Sequence, residues 1–144
     1  MISNFKFLLR TFELLNSNGI QPILIGGWAA ELGGIIKPRA HKDIDLIFLS
    51  ENFDLVDKLL LNNHELIEIS QKHKYHKRAF IFKEVMVEIF LVQKDEAGLY
   101  TNFYGTNKYY WKNLETKYIN SLKVANPEFL TDFRQSYIDR HHVN

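Results

Sequence analysis

The sequence contains no cysteine, which rules out disulfide frameworks, thiolate metal sites and a cysteine nucleophile, and fits a reducing compartment. Long apolar runs are missing too. The most hydrophobic stretch, Val85 to Val92, is interrupted by Glu88 and falls far short of the roughly 20 residues that a membrane-spanning helix needs. The opening "MISNFKFLLRTFELL" has no small-residue cleavage site, so a cytoplasmic protein without a membrane partner is expected. Charge of one sign is not in excess. The net +1 argues against a basic face for long nucleic acid and leaves small nucleotides as the plausible kind of nucleic-acid ligand. Neither G-x-x-x-x-G-K-[ST] nor G-x-G-x-x-G occurs, so the P-loop and the dinucleotide fingerprint are excluded.

What remains is ordinary globular composition, 46% apolar and 14% aromatic, in a chain of 144 residues that is long enough to bury a core. One domain, 1–144, is expected. Phe5, Leu8, Leu9, Phe12 and Leu15 recur at helical spacing between Ser3 and Asn18, and "NSNG" can end that helix. Gln21 to Ile25 reads as a strand, Gly26-Gly27 turn it into a helix over Trp28 to Leu32, and Ile44 to Leu49 is the next strand. Ser50 or Asn52 can cap a helix to about Leu61, and His64 to Ile69 reads as extended. Arg78 to Phe82 and Val85 to Val92 form a hairpin about Lys83-Glu84. Asp95 to Asn113 reads as a loop, Ile119 to Val124 as a short strand, and Asn126-Pro127-Glu128 opens a terminal helix. The expected class is α/β (α+β), a small mixed sheet of about five strands flanked by helices.

The informative stretch is "ILIGGWAAELGGIIKPRAHKDIDLIFLS", Ile23 to Ser50. Side chains alternate along a strand, so Asp43 and Asp45 share a face with Cα atoms about 6.6 Å apart, opposite Ile44 and Leu46. Two such carboxylates repel unless a cation neutralises them, and oxygen donors at this spacing suit Mg²⁺. The plainer alternative is a turn cap for Asp43 and a salt bridge for Asp45. Glu88, alone in "VMVEIFLV", would be expensive to bury unpaired. It is a candidate third carboxylate, as metal ligand or general base, with a salt bridge to Arg78 as its structural alternative. Gly26 and Gly27, between strand and helix, offer free N–H groups to a phosphate, or serve simple turn chemistry.

Strand, Gly-Gly, helix, a D-x-D strand and a later acidic strand together resemble the polymerase-beta-type nucleotidyltransferases. "GGWAAELGG" followed by "RAHKDIDL" is similar, more narrowly, to the aminoglycoside 2''-nucleotidyltransferase and lincosamide nucleotidyltransferase group. The resemblance is close over Ile23 to Phe48 and looser over the Glu88 hairpin and "NPEFL". It implies that Gly26 and Gly27 hold a triphosphate and that Asp43, Asp45 and Glu88 bind Mg²⁺, two ions in all, and carry catalysis. ATP is the implied co-substrate, a hydroxyl of a small molecule such as an aminoglycoside or lincosamide is the acceptor, and a homodimer is compatible; the alternatives are a minimal nucleotidyltransferase that modifies a protein or RNA partner, as in a toxin and antitoxin pair, and a degenerate member that only binds nucleotide. Many relatives have Asp where this chain has Glu88, and "DRHHVN" lacks the basic-plus-acidic pair of their last helix.

Other residues carry two readings each. Glu31 binds substrate by the resemblance, or is an exposed helix carboxylate. Arg39 and His41 contact phosphate or organise the loop. Trp28 reads as a packing residue, and His73, His76, His141 and His142 as surface residues rather than metal ligands. "FYGTNKYYWKN", with Tyr109 and Trp111, walls a substrate pocket or covers the core.

Overall fold

The computed structural model describes residues 3–142, with side chains up to Ser136. The chain runs α1 (Phe5–Asn16), β1 (Pro22–Ile25), α2 (Gly26–Leu32), β2 (Asp43–Leu49), α3 (Asp54–Asn62), β3 (Leu66–Glu68), β4 (Lys77–Phe82), β5 (Val85–Asp95), β6 (Gly98–Phe103), β7 (Asn107–Tyr110), β8 (Thr116–Ile119), β9 (Leu122–Ala125) and α4 (Pro127–His142). A 3-10 turn, Ser70–Lys72, precedes β4. The strands form one mixed sheet ordered β3-β4-β5-β2-β1-β9-β8, and β6 and β7 extend it from the far end of β5. Strands β2 and β5 pair in parallel, as do β1 and β9, while the other pairings are antiparallel.

Alternation along the strands sorts the core onto two faces. On one face Leu24, Ile44, Leu46, Phe48, Phe80, Val87 and Ile89 pack under α1 and α3 through Leu8, Phe12, Leu15, Val56 and Leu59. On the other, Ile23, Ile25, Ile47, Phe90 and Val92 meet Phe103, Trp111 and Phe129 from β6, the segment after β7, and α4. Helix α1 starts cleanly because the Asn4 side chain accepts a hydrogen bond from the Phe7 N–H at 2.8 Å.

The described residues hold nine strands, not about five. The segment read as a loop, Asp95 to Asn113, contains β6 and β7, and the short strand expected at Ile119 to Val124 is a hairpin of β8 and β9. Its turn uses Asn120 and Ser121 at φ +50 and +70, and the β4–β5 turn uses Lys83 and Glu84 at +46 and +71. Residues other than glycine adopt the left-handed region uncommonly, so these turns carry a weak sequence signal. No described helix is long and apolar enough to cross a membrane.

Candidate active site

Parallel pairing of β2 and β5 sets Asp43 opposite Met86 and Asp45 opposite Glu88. Residues paired across two strands share a face, so all three carboxylates project to the face that carries Phe90, beyond the edge of its aromatic packing. Asp43 is exposed, Asp45 partly buried and Glu88 buried. Loss of water pushes the Asp45 carboxyl up to about 7, with the negative charges of Glu88 and Asp43 adding to it. Asp43 is raised by the same two causes, burial first and Glu88 second. The aspartate pair is thus a place where negative charge is crowded and undercompensated.

Glu88 has its own cations. The Lys77 ammonium lies 2.8 Å from Glu88 Oε2, and that of Lys72 lies 3.6 Å from the same oxygen. The Arg78 bridge considered from sequence does not form, for a geometric reason. Arg78 is paired across the hairpin with Ile89 and therefore belongs to the opposite face, where it donates to Asp57 of α3 at 2.7 Å and stacks 4.4 Å over Phe53. Lys77, one residue earlier, falls on the Glu88 face and lies 5.3 Å above the Phe90 ring. Sequence reading passed over both lysines within "QKHKYHK". The odd-numbered set Lys77 and Ala79, opposite Phe90 and Glu88, was the available signal.

The two glycines are fixed by what they touch. Gly26 has φ +70, and a Cβ there would stand 2.5 Å from Asp45 Oδ2, so only glycine lets the carboxylate pack against the start of α2. A Cβ on Gly27 would stand 2.8 Å from His41 Nδ1 and 3.1 Å from Arg39 Nη2. Arg39 and His41 therefore lie over the strand-to-helix turn. Glu31 holds them there: its Oε1 accepts from the Arg39 backbone N–H at 3.0 Å and lies 2.8 Å from His41 Nε2. The Arg39 N–H, with His41 after it, keeps the Glu31 carboxyl below its ordinary range. The Trp28 ring packs tilted against His41, with centroids 4.4 Å apart, and donates to Ser3, whose hydroxyl in turn donates to the His41 carbonyl. Glu31 is thus not an exposed helix carboxylate; it clamps the loop.

Trp111 takes the core alternative. It is 6% exposed, packs on Phe129 and Phe133, and donates to the Thr101 hydroxyl, so it offers no surface to a substrate. Tyr109 lies beside it, half-buried, with its hydroxyl donated to Asp132 of α4. His73 pairs with Glu68 as a surface residue, whereas His76 is buried among Phe90, Phe103 and Tyr104, with Nδ1 accepting the Tyr104 N–H. The side chains of His141 and His142 lie outside the described residues.

Among the described residues no three His, Asp or Glu side chains are placed to hold a metal ion by themselves. Glu88, the expected third carboxylate, shares the face of Asp43 and Asp45, with its Oε2 engaged by Lys77 and Lys72. The aspartate pair does fit magnesium: it presents hard oxygen donors and excess negative charge, and magnesium commonly takes one or two carboxylates and completes its shell with water and substrate phosphates.

No protein-family model and no curated protein matches the sequence. Solved structures do match in shape. Lincosamide antibiotic adenylyltransferase LnuA, with lincomycin bound, superposes at a TM-score of 0.73 over 95% of this chain and 89% of its own, with 16% identity. The solution structure of antibiotic-resistance factor ANT(2'')-Ia gives 0.69 over 94% of this chain and 71% of its own, with 11% identity. The crystal structure of ANT(2'')-Ia in complex with adenylyl-2''-tobramycin gives 0.63 over 94% and 76%, also with 11% identity. The chain has the nucleotidyltransferase fold that its motifs resemble.

Proposed function

We propose that this chain is a magnesium-dependent nucleotidyltransferase that moves a nucleoside monophosphate, AMP from ATP, to a hydroxyl of a small molecule. The observation that carries this reading is the parallel register of β2 and β5, which brings Asp43, Asp45 and Glu88 to one place, with Gly26 packed against Asp45. The likeness in fold to LnuA and ANT(2'')-Ia points to an antibiotic-like acceptor, a lincosamide or aminoglycoside.

Asp43 and Asp45 would hold the metal, which when bound neutralises the phosphate oxygens and lowers the barrier to displacement at phosphorus. The Gly26-Gly27 turn lets the backbone approach the triphosphate closely, and Arg39, held by Glu31, supplies a positive charge beside it. The acceptor oxygen forms a bond to the α-phosphorus as the bond from that phosphorus to the α,β-bridging oxygen breaks, and pyrophosphate leaves. The hydroxyl proton passes to Glu88, whose Oε2 is engaged by the lysines and whose Oε1 is the accepting atom.

Calorimetry tests the first step. ATP should bind with Mg²⁺ present and bind weakly in chelator, and the Asp43→Asn variant should lose the magnesium dependence. Equal affinity under all three conditions would remove the metal site.

A further inference from the structure

The lysine-bound state of Glu88 has a consequence for how many ions the site takes. Three carboxylates on one face meet two ammonium groups, both placed at Glu88 Oε2. The Lys77 side chain is 9% exposed against 35% for Lys72. Its ammonium lies 5.3 Å over the Phe90 ring, and its strand is tied to β5 at both ends of this stretch, with Lys77 paired to Phe90 and Phe82 to Val85. This is a fixed cation in a water-poor place, not a surface lysine swinging past. A divalent ion bound by Glu88 would have to displace that ammonium or settle beside it, and like charges at close range are costly where screening is weak. The aspartates face no such obstacle: both ammonium groups are placed at Glu88 Oε2, and neither lysine forms an ion pair with Asp43 or Asp45 among the described residues.

Taking the nucleotidyl-transfer reading as its basis, we propose that the site holds one divalent cation per nucleotide, on Asp43 and Asp45, and that Lys77, supported by Lys72, stands on Glu88 where a second ion would otherwise bind. Lys77 is then a positioning residue. It orients Glu88 and neutralises one of its oxygens, and leaves the other for the acceptor proton. The resemblance in sequence implied two ions; the side-chain geometry replaces one of them with an ammonium group of the chain itself.

The test counts ions. Mn²⁺ bound per nucleotide is read from the loss of the free-ion electron paramagnetic resonance signal. Protein is kept in excess over a non-hydrolysable ATP analogue with a methylene group between the α- and β-phosphorus. One ion per analogue is expected for the wild type, and the same count for Glu88→Gln, because Glu88 is not a ligand. The Lys72→Met and Lys77→Met double variant should rise to two, and Lys77→Arg should stay at one. Two ions in the wild type, falling to one in Glu88→Gln, overturns the inference and leaves the transfer reading standing. A count of one in a folded double variant also overturns it. No analogue-dependent Mn²⁺ in the wild type removes the transfer reading itself, and the inference with it. The wild-type and Glu88→Gln counts decide the matter even if the double variant does not fold.

Discussion

The two faces of the central sheet are made by the same strands and do different work. On β2, Ile44, Leu46 and Phe48 point under α1 and α3, while Asp43 and Asp45 point the other way. On β5, Val87 and Ile89 join the first group and Glu88 the second. On β4 the division falls between neighbours: Arg78 braces Asp57 of α3 on the packed face, and Lys77 reaches Glu88 on the carboxylate one. Under the helices the packed face is built of apolar side chains, with Arg78 paired to Asp57 of α3. The carboxylate face keeps three acids together at one end and closes the other end with Phe90, Phe103, Trp111 and Phe129. The apolar half thus bears the cost of crowding charge in the polar half, and alternate residues of a single strand can be changed with separable effects.

The largest expected effect breaks chemistry without breaking the fold. Asp45→Asn or Asp43→Asn should lower transfer about 1,000-fold or more, with no fall in melting temperature, since losing a metal ligand also relieves repulsion between carboxylates. Turnover near wild type for either variant would remove the metal assignment. The converse change is Phe80→Ala on the packed face, where Phe80 is fully buried. It should cost about 3 to 5 kcal/mol in chemical denaturation and leave turnover per folded molecule unchanged.

Gly26→Ala sits where the faces meet. Its φ of +70 and the Asp45 oxygen 2.5 Å from the added Cβ predict both a stability loss of about 2 kcal/mol and a fall in turnover. A stability loss with unchanged turnover would separate Asp45 from the glycine turn. A titration sharpens the same point. Asp45 is pushed up to about 7 in the folded protein from 3.8 in the unfolded chain, so between these values the folded state keeps a proton that the unfolded state has released. Metal-free wild type should therefore lose stability as pH rises from about 4 to about 7, a contribution that is complete below the lower value and gone above the upper one. Denaturation midpoints in chelator at pH 5 and pH 8 should differ less for Asp45→Asn than for the wild type. The smallest effect is Arg78→Met, about 1 kcal/mol in stability and none in turnover, because the Asp57 side chain is 43% exposed and water screens the pair.

Much of this division was readable in the chain, because period-two alternation is a strong signal wherever apolar residues are dense. It separated Asp43 and Asp45 from Ile44 and Leu46, and the structure keeps that division and draws the same one between Glu88 and its neighbours Val87 and Ile89. The same rule, applied to β4, sends Arg78 away from Glu88 and chooses Lys77, which the expected strand, begun at Arg78, left out. Strands β6 and β7 were hidden because "GLYTNFYGTNKYY" is rich in turn-forming residues, and its strand character comes from pairing with β5 and with itself. Glu31 was placed in the right neighbourhood, but its role in holding the loop was not foreseen. Its contacts are to a backbone N–H and a histidine eight and ten residues on, and neither is visible before the loop has folded back.

The most direct test follows the phosphorus. The protein is incubated with Mg²⁺, a lincosamide or an aminoglycoside, and ATP labelled in one sample at the α-phosphorus and in another at the γ-phosphorus, and the acceptor is then separated and counted. The α label should appear in the acceptor and the γ label in pyrophosphate, with both transfers lost in Asp45→Asn. Label from the γ position in the acceptor would mean phosphoryl rather than nucleotidyl transfer, and an α label that persists in Asp45→Asn would mean that the chemistry does not run at the carboxylates of β2.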